Sequence, residues 1–456
     1  MALMTRPPIQ RISRLTADTT SLLQALIRNA AVNDGTPDSG NEILSVRTLQ
    51  SFFGDALEAA GVTVQVVEPH PGRGSLVVRV AGRDPSAHSL LLLGHLDVVP
   101  VEKSGWTHGP FSGEVVDGEV WGRGAIDMLT LTAAMAVVTK RAIESGTMLD
   151  GDLVFVAVAD EEAGGDFGTA WMAEHRPDLL RADYALTEQG GVLLDPTRPD
   201  SGITVGIGEK GRAPRRIHIT GVPGHAAVPW GSRSAAEAAA EIVLQLSRNP
   251  APPVVLPYWP SFVRALHLDP EATEALTDPE RLDSALPALG SLAGLGHALT
   301  HMTVSPNIVR AGDKLNVIPG EATIDLDIRV LPGQTEEDLD RWLDEALAPW
   351  RDIVRISGSV FTPGNVSPVG TWLYDRILAV FAKHYPEAIP AAGIGPGGSD
   401  GRFLRAMGTH VYGFGLFSPR LPLDEFRNRL HAHNERVDVE SIDLTTRALA
   451  EIVLGG

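Results

Sequence analysis

The chain of 456 residues contains no cysteine. That absence excludes disulfides, thiolate catalysis and any Cys-ligated zinc or iron–sulfur centre, and leaves His, Asp and Glu as the strong metal ligands. Basic charge is also scarce: 38 Lys and Arg stand against 57 Asp and Glu, a formal net charge of −19, with no long Lys/Arg run. A protein that tracks phosphates needs a basic face, so no nucleic-acid partner is expected. No window approaches the roughly 20 apolar residues that span a bilayer. The nearest, Leu286 to Leu299, is broken by Pro287, Gly290, Gly294, Gly296 and His297, and no membrane partner is expected. Met1 to Arg14 carries Arg6, Arg11 and Arg14 without the apolar core of a signal peptide, which makes a cytoplasmic location the expectation. A dinucleotide fingerprint is missing too, since Gly122-Arg123-Gly124-Ala125-Ile126-Asp127 puts an Asp where the third glycine of G-x-G-x-x-G belongs.

With 43% hydrophobic and 21% charged residues, the chain can build a core, and its length exceeds what one core fills. Two domains are expected. From about Val62, short Val/Leu-rich runs alternate with segments of helical period, the pattern of an α/β protein with a largely buried mixed sheet. The expected strands are Val62–Val67, Leu76–Val80, Leu90–Leu93, Leu153–Ala159, Tyr184–Thr187 and Ile203–Ile207. After the glycines near 208–211 the style changes to half-exposed strands, Arg216–Thr220, Met302–Val309, Ala322–Val330 and Ile353–Val360. Between them fall two helices, opened by the capping-box patterns Ser234–Glu237 and Thr335–Asp338. The order βαββαβ is that of a ferredoxin-like unit. It reads as an insertion, residues 209–362, that splits a larger domain into residues 1–208 and 363–456. The stretch 249–300 is a long connection with no readable period.

Acidic and histidine residues gather where apolar strands end. Leu90–Leu93 runs into Gly94-His95-Leu96-Asp97, and ligands in open α/β sheets bind outside the carboxyl ends of strands. Asp127 follows at the mouth of an uncharged helix, where it suits either a ligand or a helix N-cap. Leu153–Ala159 ends in Asp160-Glu161-Glu162; three successive acids in a dry site repel one another unless a cation is present, although Asp160 also suits a surface turn. Glu188 closes the strand Tyr184–Thr187, and His431 and His433 lie near the C-terminus.

These motifs resemble peptidase family M20, the co-catalytic zinc metallopeptidases that include aminoacylases, glutamate-releasing carboxypeptidases and succinyl-diaminopimelate desuccinylases. The resemblance rests on six motifs in the family's order: Gly94 to Pro100, Gly122 to Met128, Asp160 to Gly164, Gly224 to Ala227, Gly398 to Arg402, and His431 followed by Asn434-Glu435. It implies a zinc-exopeptidase-like catalytic domain with an inserted lid and dimerisation domain. It also implies two divalent ions, zinc with cobalt or manganese as alternatives. One is expected on His95 and Glu188, the other on Glu162 and His431, with Asp127 bridging; His433 is the alternative to His431. By the same resemblance Asp97 orients His95, Glu161 is the general base, and His225 serves the partner subunit of a homodimer as an oxyanion donor. Asn316 and Arg329 are implied to hold the substrate carboxylate, with Gly397, Gly398 and Ser399 lining the pocket.

The chain departs from the family at Asp127-Met128-Leu129-Thr130, where many relatives have Lys and Gly in the last two places. Glu at position 188 favours the acylase and carboxypeptidase branch over the dipeptidases. The expected function is metal-dependent hydrolysis of an amide in an N-acyl amino acid or short peptide, releasing a free amino acid. A dipeptidase and a non-catalytic metal-binding homologue are the alternatives.

Overall fold

The computed structural model describes residues 13–146 and 149–455; the signal-peptide reading rests mostly on positions outside them. The chain forms two compact units. The first runs to Ile207 and resumes at Ser367–Ala392 and from Ser399 onward, while the second takes Gly208–Val366 and Gly393–Gly398.

In the first unit the sheet has the spatial order Val62–Val67, Ser75–Val80, Leu153–Val158, Leu90–His95, Tyr184–Thr187, His410–Gly413, Gly202–Glu209. Its central strands are parallel. Leu90–His95 pairs with Leu153–Val158 on one side, Leu90 opposite Leu153 and His95 opposite Val158, and with Tyr184–Thr187 on the other. Parallel strands in matched register end together, so the polar residues after each apolar run emerge along one edge. All six residues of each of the strands Leu90–His95 and Leu153–Val158 are buried, as unbroken Leu/Val runs require.

The helix Leu129–Glu144 covers this sheet, and it is uncharged up to Lys140 because its first three turns are buried. Gly94 permits its close approach. A Cβ there would collide with the Thr132 hydroxyl, which instead donates to the carbonyl of His95 at 3.0 Å. Helices Arg14–Asn29 and Val439–Leu454 pack on its outer side.

The second unit has the expected βαββαβ order: Arg215–Thr220, helix Ala235–Arg248, Thr303–Ala311, Glu321–Val330, helix Glu336–Ala346 and Val354–Ser357. The sheet is antiparallel, with Glu321–Val330 between Arg215–Thr220 and Thr303–Ala311, and Val354–Ser357 beyond Arg215–Thr220. Ile217, Ile219, Ile324, Leu326 and Ile328 on one sheet face pack against Ala239, Ile242, Leu246, Leu339 and Leu343 of the helices. Thr335 and Asp338 form the expected capping box, with Asp338 N–H donating to the Thr335 hydroxyl and Thr335 N–H donating to the Asp338 carboxylate. Ser234 occupies the N-cap of the other helix but its side chain makes no capping bond, which corrects the sequence expectation. The connection after Asn249 is built of short helices around Trp259, whose indole N–H donates to the Leu276 carbonyl at 2.7 Å. Proline and glycine cut it too finely for a period to show.

Candidate metal centre

Three strand ends and two loops converge in the first unit. His95 closes its strand fully buried, and its Nδ1 lies 2.9 Å from the backbone carbonyl of Asp97. A carbonyl only accepts, so the hydrogen sits on Nδ1 and the Nε2 lone pair faces outward. It faces Asp127 Oδ1 at 3.1 Å. The other Asp127 oxygen lies 3.2 Å from His431 Nε2, which in turn is 3.4 Å from Glu162 Oε1. Asp127 is no helix cap: the N-cap position is Met128, which makes no side-chain capping bond.

Two triads result, His95, Asp127 and Glu188, and Asp127, Glu162 and His431, each with ligand atoms within 4.8 Å of one another. A lone pair of His95 aimed at a carboxylate oxygen requires a proton or a cation between them. The pKa shifts say the same. Burial pushes the Glu161 and Glu188 carboxyls well above the usual range, with further upward pressure on Glu188 from Asp127 and Glu161. Burial opposes charge on His95, yet its bond to Asp127 and the charges of Glu161 and Asp97 raise its pKa well above normal. His431, bonded to Asp127 and Glu162, is pushed up to about 10. Such a set of acids and imidazoles, closely packed and holding protons, is what a pair of N/O-liganded divalent ions would occupy.

The arrangement is braced from behind. Asp97 is completely buried, and its carboxylate does not reach the His95 ring, with Oδ1 3.7 Å from Nδ1. It instead accepts the backbone N–H of Glu161 at 3.1 Å and of Glu162 at 3.0 Å. The expected orientation of His95 is thus performed by the main-chain carbonyl of Asp97, while its side chain holds the turn that carries the acid pair. On the opposite side, Glu435 Oε1 accepts the N–H of Ile126 at 2.8 Å and Arg123 donates to Glu435 at 2.7 Å and to the His431 carbonyl at 3.0 Å. Arg123 and Glu435 lay inside recognised motifs, but their spacing of 312 positions hid the pairing.

The other expected site residues are placed as follows. Asp160 is no surface turn: it is buried, with Arg73 Nη2 2.7 Å and Asn33 Nδ2 3.0 Å from Oδ1. His433 joins neither triad, and its Nε2 is 4.0 Å from Glu102. Ser399 is buried, and Arg402 links its carbonyl at 2.7 Å to that of Gly164 at 2.9 Å, close in sequence to Glu162. Gly397 and Gly398 belong to the second unit. So do His225, Asn316 and Arg329. His225 is exposed on a two-stranded ribbon opposite Val317, where Ala226 N–H donates to the Asn316 carbonyl at 3.3 Å. Ala227 N–H donates to His225 Nδ1 at 3.0 Å, so in the neutral ring the hydrogen lies on Nε2, a free-standing donor. Arg329 is tied to Asp327, 2.7 Å from Nε and 3.1 Å from Nη2.

The sequence profile of peptidase family M20/M25/M40 matches residues 91–455, which span every residue of both triads. The chain belongs to this family. It is a metallo-hydrolase of the M20 type, and its mixed α/β architecture is the family's fold. Among curated M20 relatives it is 28% identical to aminoacylase-1B of Rattus norvegicus over 438 residues, covering 90% of this chain and 93% of that one. It is 30% identical to the succinyl-diaminopimelate desuccinylase of Gluconacetobacter diazotrophicus over 397 residues, covering 84% of this chain and 85% of the other. An M20 family metallo-carboxypeptidase from Sulfolobus solfataricus superposes with a TM-score of 0.67 at 18% identity, covering 97% of this chain and 99% of that one. No helix among the described residues is long and apolar enough to cross a membrane.

Proposed function

We propose that the protein hydrolyses the amide bond of an N-acyl amino acid or short peptide and releases a free amino acid. The observation that carries this reading is the pair of His/carboxylate triads sharing Asp127, with Glu161 held beside them by Asp97. Two divalent ions, zinc with cobalt or manganese as alternatives, are assigned to His95 and Glu188 and to Glu162 and His431, with Asp127 common to both. When bound, the ions supply Lewis acidity and lower the pKa of the attacking water.

The protein's own groups do the rest. Glu161 takes the proton from water as it attacks the carbonyl and hands it to the leaving amine. Its backbone is pinned through Asp97, so the carboxylate is delivered from a fixed turn. His225, with hydrogen on Nε2, is assigned the charge that develops on the carbonyl oxygen, in the active site of a partner subunit in a homodimer formed through the lid. Asn316 and Arg329 are assigned the substrate carboxylate, which would compete with Asp327 for the Arg329 fork. Gly397, Gly398 and Ser399 are assigned to the pocket wall.

The aminoacylase and desuccinylase relatives, together with Glu at position 188, favour an N-acyl amino acid over a dipeptide. A screen of N-acyl amino acids and dipeptides with metal-reconstituted protein tests this. Release of free amino acids from the acylated series is expected, and hydrolysis confined to dipeptides would replace this substrate class with the dipeptidase reading.

A further inference from the structure

Behind Asp97 lies a buried chain of polar groups, Asn33, Asp160, Arg73 and Glu42, to which the reaction as described gives no part. Glu42 and Asp97 are 0% exposed, Arg73 1%, Asp160 2% and Asn33 3%. Arg73 donates from Nε to Glu42 Oε2 at 2.9 Å and from Nη2 to Glu42 Oε1 at 2.8 Å. The same Nη2 reaches Asp160 Oδ1 at 2.7 Å. Asn33 Nδ2 then bridges two carboxylates, donating to Asp160 Oδ1 at 3.0 Å and to Asp97 Oδ2 at 2.9 Å. Asp97 in turn holds the N–H groups of Glu161 and Glu162. An unbroken path therefore leads from Glu42 and Arg73 to the turn that bears the acid pair.

Two features give this path a purpose beyond packing. Asp160 has φ +70°, a left-handed conformation that a residue with a side chain keeps only when its surroundings enforce it. Its carboxylate is gripped by Arg73 and Asn33 on Oδ1 and by the Phe167 N–H on Oδ2 at 2.9 Å. That reversal immediately precedes Glu161 and turns the chain out of its strand toward Asp97. Charge is the second feature. Three buried carboxylates, Glu42, Asp97 and Asp160, share this path, and Arg73 is the one cation on it. Its planar fork pairs bidentately with Glu42 while the same Nη2 reaches Asp160, a geometry that the single nitrogen of a lysine does not reproduce.

We propose that Arg73 is a positioning residue for hydrolysis, setting the aim of Glu161 and Glu162 through Asp160, Asn33 and Asp97. This rests on the function proposed above, in which Glu161 is the base and Glu162 a metal ligand. Arg73 bonds to Glu42, Asp160 and the Thr36 carbonyl and to no residue of either triad, so it acts through the residues it holds.

The test compares steady-state kinetics on an N-acyl amino acid that the wild-type holoenzyme hydrolyses, at saturating metal. Arg73→Lys should lower kcat about 10- to 100-fold with KM within about twofold, the range of losses seen when residues behind metal ligands are changed. Asp160→Asn leaves the Arg73–Glu42 pair whole and tolerates the left-handed backbone, and it should reproduce the loss. Because the residues act in series, Arg73→Lys combined with Asn33→Ala should lose no more than the worse single variant. Zinc titration into metal-stripped Arg73→Lys should find one ion bound about tenfold more weakly and the other unchanged.

A purely structural role would lower the melting temperature and leave kcat and zinc affinity intact, and that result overturns the proposal, as do losses that multiply in the double variant. Should Arg73→Lys fail to fold, Asp160→Asn decides: a wild-type kcat in it overturns the proposal equally. A wild-type enzyme that cleaves none of the amides offered would instead sink the proposed function.

Discussion

The carboxylate of Asp97 accepts the backbone N–H of Glu161 at 3.1 Å, joining positions 64 apart in sequence. The parallel register makes this possible, since the strands that end at His95 and Val158 are neighbours and finish side by side. The side chain of Asp97 therefore governs the acid pair, while its carbonyl governs His95. Asp97→Asn separates these duties. An amide offers one acceptor oxygen where the carboxylate offers two, so one of the N–H groups at 161 and 162 loses its partner. A kcat loss of about 10- to 100-fold is expected, with His95 still held through the carbonyl and both ions retained at saturating zinc. Steady-state kinetics beside metal analysis checks this, and wild-type kcat would deny the carboxylate its role.

Asp127 is the residue that both triads share. Asp127→Ala should weaken both ions together. Metal analysis after dialysis reads the outcome directly, and selective loss of one ion would speak against a bridge.

The metal-free protein should bind protons where the ions belong. With the pKa of His431 pushed up to about 10, its imidazole is charged at neutral pH and must release a proton to become a ligand. Apparent zinc affinity should therefore rise with pH between about 7 and 10. In the absence of metal the sign for stability is opposite: the raised pKa stabilises the fold below the unfolded value of about 6.5, a contribution lost as pH rises through about 10. Calorimetric titration in buffers of different ionisation enthalpy measures the proton release. A pH-independent affinity with no proton released would contradict this account of the site.

The strand ends were readable in the sequence because Leu90–Leu93, Leu153–Ala159 and the Ala185–Leu186 pair are apolar and give way within two residues to polar ones. The βαββαβ unit was readable because its strands alternate and Thr335 and Asp338 announce a helix. Pairings between distant segments left no such trace. Arg73 and Glu42 are 31 positions apart in unrelated elements, and neither stands in a periodic pattern. Asp160 looked like the first residue of a surface turn because nothing local tells an acid facing water from one facing a buried guanidinium. The strands Val115–Val116 and Glu119–Trp121 are too short for alternation to register, yet the second pairs with Arg436–Asp438 and so helps carry the chain segment of His431 to the site.

His225 is assigned to act across a dimer. Removing one oxyanion donor typically costs about 10² to 10³ in kcat, so His225→Ala should keep its metals and lose turnover by that order. Mixing it with Glu161→Gln is sharper. If His225 works in the partner's site, a mixed dimer has one site with both defects and one with neither, and each mixed dimer recovers toward half of wild-type activity. If no activity returns although subunit exchange is confirmed independently, His225 does not act in trans.

In the proposed reaction, Glu161 moves the proton of a metal-dependent amide hydrolysis without itself holding metal. The direct measurement is the turnover of an N-acyl amino acid by zinc-reconstituted Glu161→Gln beside the wild type, with zinc content determined on the same samples. An unchanged zinc content and a turnover reduced by about 10² to 10⁴ are expected. A variant that keeps wild-type turnover, or one that loses its zinc, would contradict this role of Glu161.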